Sequence, residues 1–172
     1  MKKNHSRIIL LVTVFLIIAS LIIFIDNVNT KKEFEVNSSY YTGFVARVQR
    51  LDETLSQTNE TKSNGDVVHM LDVYTSIILV NDQLTLLKEN TKGFPDIDIL
   101  INDFSIFRNE YGYLVKNQLE GHHVDPEIHL KVVTQIQLFL NNLPEEYENS
   151  REFTDQFNAA TVHIKPLLHL NF

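Results

Sequence analysis

Apolar residues recur every three to four positions along most of the chain, and one stretch is apolar without a break. That stretch is residues 8–25, IILLVTVFLIIASLIIFI, where only Thr13 and Ser20 carry hydroxyls. As a helix it would rise about 27 Å, close to the roughly 30 Å hydrocarbon core of a bilayer. Lys2, Lys3 and Arg7 precede it and Asp26 follows it. Cations on that side predict a cytoplasmic tail over residues 1–7 and an extracytoplasmic remainder. A cleavable signal peptide has a shorter apolar run with a small-x-small pair behind it. Here the small pair Ala19-Ser20 lies in mid-run and DNVNT follows, so an uncleaved signal anchor in the cell membrane is expected.

After a juxtamembrane segment, residues 26–33, the period is helical. Phe34, Tyr41, Phe44, Val48, Leu51 and Leu55 form a first stripe, with Asn37 in its seam. Val67, Met70, Leu71, Tyr74, Ile77, Ile78 and Leu84 form a second. The third holds Ile97, Leu100, Ile101, Phe104, Phe107, Tyr111, Leu114 and Val115. The fourth is Ile128, Val132, Ile136, Phe139 and Leu143, and the last is Phe153, Phe157, Ala160, Ile164 and Leu167. Gly65, Gly93 and Gly121 sit where helices should stop, and Pro95, Pro126 and Pro144 where they should start, each with acids beside it. Residues 73–80, VYTSIILV, have strand propensity, but the helical spacing on both sides decides for helix. Pro166 should end or kink the last helix. The expected fold is all-α: one N-terminal transmembrane helix, then an antiparallel four- or five-helix bundle over residues 34–172.

Composition supports this and narrows the chemistry. The chain has 172 residues, 44% hydrophobic and 22% charged, which is globular composition. Only five Gly and four Pro favour long helices over a turn-rich all-β fold. The lack of Cys excludes disulfides, thiolate zinc sites, iron–sulfur clusters and a cysteine nucleophile. Residues 31–172 hold 12 of the 15 basic and 21 of the 22 acidic residues, a net charge of −9. Such a domain repels nucleic acid, so no nucleic-acid partner is expected. Asn37-Ser38-Ser39 and Asn59-Glu60-Thr61 match the glycosylation acceptor of a eukaryotic secreted protein.

The densest set of ligand-type side chains is His122, His123, Asp125 and His129. Their imidazoles and carboxylate could take zinc, copper or nickel. The plainer reading makes Asp125 an N-cap, Pro126 the first helical residue and the histidines part of a solvated loop. No Gly-x-Ser-x-Gly, phosphate-cradling loop or His-Glu-x-x-His is present. Asp66-Val67-Val68-His69 stands alone, where a di-iron bundle needs two Glu-x-x-His pairs. No catalytic residues and no cofactor are therefore expected.

A second apolar row runs Ile99, Ile106, Tyr113 along the third helix, opposite Ile97 and Phe104. Val68, Leu79 and Leu86 likewise lie off the second stripe. Burial of the Ile99 row under another helix of the chain is expected; the alternative is a surface for a homodimer or an envelope protein. A spanning helix leading into long antiparallel helices resembles, in architecture, the sensory bundles of chemoreceptors and sensor kinases. The second span and output domain of those proteins have no counterpart here, so self-contained signalling is not expected. The sequence reads as a membrane-anchored, non-catalytic interaction or regulatory module; the alternative is a metal- or small-ligand-binding bundle using residues 122–129.

Overall fold

The computed structural model describes residues 2–57, 67–91, 94–95, 97–122 and 125–170, and side chains from Thr13 onward. Gly65, Gly93, Asp96, Asp66, His123 and the acceptor at Asn59 lie outside the described residues. Among those described there are five α-helices and no strand. These are α1 (Lys2–Ser56), α2 (Val67–Asn90), α3 (Asp98–Leu119), α4 (Pro126–Asn142) and α5 (Arg151–Thr161), followed by a 3-10 helix, Val162–Leu167. The chain divides into two compact units, Met1–Glu35 and Val36–Phe172.

In the first unit everything described is helix, and the expected juxtamembrane segment is part of α1. Phe15, Ile22, Ile23 and Phe24 each expose more than half their surface. By length and composition this is the one helix among the described residues that is able to cross a membrane. Phe34 is exposed too, so the first buried stripe begins at Asn37 rather than Phe34.

The second unit is the bundle. From α1 it takes Tyr41, Phe44, Val48, Leu51 and Leu55, all sealed from solvent. The helix α2 runs antiparallel to α3: Lys88 pairs with Asp98, Ser105 Oγ lies 3.2 Å from Asn81 Oδ1, and the Tyr74 ring covers Gly112. A Cβ at Gly112 would come within 3.3 Å of Tyr74 Cε2, so the missing side chain lets the two helices close. The helix α4 packs on α5 and on the 3-10 helix, which also meets α3.

One end of the core is aromatic. Phe153 stands edge-on to Tyr41 at 5.1 Å between centroids, Phe94 stacks on Tyr147 at 5.7 Å, and Phe157 lies 5.5 Å from Phe94. Polar groups that enter this cluster find partners inside it. Asn37 Nδ2 donates to the Tyr147 hydroxyl at 2.9 Å, and the Tyr41 hydroxyl donates to the Pro144 carbonyl at 2.5 Å. These two bonds tie the segment after α4 onto α1.

Some helix ends follow their chemistry, while α3 begins at Asp98, past Pro95, with Ile97 making no side-chain cap. Asp125 Oδ1 accepts from the Glu127 amide and Pro126 opens α4, as expected. Gly121, at φ +82°, closes α3: its amide bonds Gln118 O and the His122 amide bonds Asn117 O, the paired closure of a Schellman motif. Pro144, however, starts no helix. Proline forces the residue before it out of the helical region, and Leu143 is extended at ψ 144°. The chain turns irregularly until Ser150, whose hydroxyl accepts from the Phe153 amide and begins α5. Pro166 acts as expected. It offers no N–H to the Val162 carbonyl, and the α-helix gives way to 3-10 geometry at that residue.

Candidate functional site

The row on the back of α3 is not covered by the chain. Ile99 is 64% exposed and Tyr113 57%, while Ile106 is half-buried. This corrects the expectation of internal burial. The helix α3 is not the centre of the bundle. Leu100, Phe104, Phe107 and Tyr111 meet the core, α2 flanks one side and the 3-10 helix the other, and the fourth side is left to solvent. Residues two apart on a helix point about 200° apart, so Ile99 cannot share the side of Ile97.

The neighbouring helix repeats the pattern. Leu71, Leu79 and Leu86 of α2 are exposed on the side away from Val73, Ile77, Val80 and Leu84, and Val68 is exposed as well. Leu71 was expected in the core stripe; the stripe that is buried is rotated toward Val73, Val80 and Leu87. Asn81 and Lys88 face α3, so Leu79 and Leu86, two residues before each, point away from it. Asn102 and Asn109 are exposed on α3 between its apolar positions.

The histidine cluster is dispersed. His122 is exposed, with Nε2 3.9 Å from Glu120 Oε2, and Asp125 is occupied in capping α4. His123 lies outside the described residues. His129 is carried round by the first turn of α4 and points inward, bonding the Leu55 backbone at the end of α1. Its ring meets His69 of α2 edge-to-face at 6.3 Å between centroids, and its Nε2 is buried without a hydrogen-bond partner. Burial, and secondarily the neighbouring His69, push the His129 pKa below its ordinary value. Among the described residues no group of three or more His, Asp or Glu is placed to hold a metal ion.

Two features escaped the sequence reading. One is the approach of His69 to His129, which no local spacing signals. The other is a cleft of about 370 Å³ lined by Pro144, Glu145, Glu146, Glu148, Glu152, Phe153 and Gln156. Glu145 and Glu146 were expected in the first turn of a helix. The signal for the cleft was Ser150, a better N-cap than Pro144 is a helix start. Set against models of protein families, curated proteins and solved structures, the chain shows no match.

Proposed function

We propose that this chain is a single-pass membrane protein with a cytoplasmic N-terminus, and that its extracytoplasmic bundle is a non-catalytic interaction module working through Ile99, Ile106 and Tyr113. The observation that carries the reading is the exposure of this row on a helix whose opposite side is fully buried. An apolar line whose ends, Ile99 and Tyr113, stand clear of the chain's own core is what a docking surface requires. The exposed apolar band of α1 and the basic residues ahead of it support the anchor and its orientation. The lack of any nucleophile or phosphate-binding motif supports a role other than catalysis.

Two measurements test it. Reporters fused at the C-terminus should be active only outside the cytoplasm; activity only inside would overturn the orientation. A photo-crosslinker replacing Tyr113 should form protein adducts in native membranes, and adducts to lipid alone would overturn the interaction reading.

A further inference from the structure

We propose that His69 of α2 and His129 of α4 form a two-histidine site for a late first-row metal ion of the class Cu2+, Ni2+ or Zn2+. The site is separate from the outer row of α3, and it stands or falls independently of the interaction-module reading.

Three helix ends bring the pair together. His69 lies in the first turn of α2, His129 in the first turn of α4, and the last turn of α1 supplies Leu55. His69 is only 4% exposed and His129 is partly buried. Their ring centroids stand 6.3 Å apart, with the planes inclined by 64°. With each nitrogen about 1.2 Å from its ring centre, such a pair can bring one nitrogen each to about 4 Å, twice a metal–nitrogen bond of about 2.0 Å. The rings already stand at the separation of a bridged pair, so the backbone need not move.

The two nitrogens of His129 are in different situations. The ring is bonded to the Leu55 backbone, while Nε2 is buried without a hydrogen-bond partner. The bonded nitrogen is therefore Nδ1, which donates its proton to the carbonyl and leaves the lone pair on Nε2. Metal-binding imidazoles are held in the same way, the far N–H on a carbonyl and the near nitrogen toward the ion. An unpaired buried lone pair is costly, and a bound ion removes that cost. Burial also favours the neutral ring, the form that binds metals. The site needs one nitrogen of His69, whose other nitrogen can keep a hydrogen bond of its own.

The ligand chemistry selects the ion. Imidazole suits copper, nickel and zinc, whereas Mg2+ and Ca2+ seek oxygen. Two protein ligands leave the remaining positions to water, so the ion exchanges with solution. Asp52, three residues before Leu55, bonds Gln137 of α4 and has Oδ1 buried without a partner. A carboxylate on the seam between α1 and α4 thus offsets part of the ion's charge.

The test uses the full chain in zwitterionic nanodiscs, purified without a histidine tag and stripped of metal by a chelator. Cu2+, Ni2+ or Zn2+ should each raise the melting temperature by several degrees, Cu2+ the most, because the ion binds only the folded pair. Mg2+ should not. Calorimetric titration should give one ion per chain. His69→Gln and His129→Gln should each abolish the metal-induced shift, measured against that variant's own metal-free melting temperature. His122→Gln with His123→Gln, in the loop before α4, should keep it. The absence of any shift with the three ions overturns the proposal. So does a shift that survives either single variant, or one lost with the loop variant, which would move binding to the loop.

Discussion

Lys165 Nζ of the 3-10 helix lies 2.7 Å from Asp103 Oδ2 of α3, and Asp103 is only 3% exposed. At that distance the ammonium and the carboxylate form a close, charge-assisted ion pair. It joins the C-terminal end of the chain to the α2–α3 layer. Removing the cation leaves a buried carboxylate without its counter-charge, which costs more than removing both charges.

Lys165→Met should therefore destabilise the bundle by about 2–3 kcal/mol, below the full value for a buried pair because the lysine is half-exposed. Asp103→Asn on the Lys165→Met background should recover part of that loss. Denaturant titrations of the four proteins of this cycle measure both quantities. A single-variant loss no larger than that of a surface pair would remove this contact from the account of the fold.

His129 makes stability depend on pH. Its pKa is lowered in the folded state, so folding favours the neutral ring. The contribution is complete above the ordinary value of 6.5 and is lost as the pH falls from there through the folded-state value. The melting temperature should drop as the pH is lowered from about 7.5 to 5.5. His129→Gln should flatten that slope. Asp52, whose pKa is raised chiefly by burial, contributes in the opposite sense, losing stability as the pH rises.

Phe157 has no exposed surface and lies among Tyr41, Phe44, Phe94 and Phe153. Phe157→Ala should cost about 3–5 kcal/mol, and Phe157→Leu clearly less. Equal melting points for the alanine variant and the parent would contradict this core.

The outer row gives the opposite expectation. Ile99→Asp should shift stability by no more than about 0.5 kcal/mol, because the side chain already meets water. A loss as large as that of Phe157→Ala would show that Ile99 is covered in solution.

The last stripe was fully legible: Phe153, Phe157, Ala160, Ile164 and Leu167 follow steps of four and three and are all buried. Charged and polar residues make up most of the rest of that segment, so one side turns inward. The second stripe was not, because α2 is apolar nearly all round. Periodicity alone could not choose between Leu71 and Val73. That choice is made by tertiary partners: Tyr74 over Gly112, and Ser76 buried 3.5 Å from Thr54. The approach of His129 to His69 was hidden for a related reason. Closeness in sequence gathered His122, Asp125 and His129, but a helix start separates them, and His129 meets a residue of α2 instead.

The sealed tyrosines have an optical consequence. The chain has six tyrosines and no tryptophan, so phenol absorbance is its natural spectroscopic signal. Burial drives the Tyr41 and Tyr111 hydroxyls well above the ordinary phenol range. The folded state favours their neutral form, and stability falls as the pH rises past about 10, where an unfolded phenol ionises. In an alkaline titration these two rings should gain the phenolate band only as the bundle opens, together with the loss of helical circular dichroism. The aromatic core thus carries its own label for unfolding, and no probe need be added to follow it.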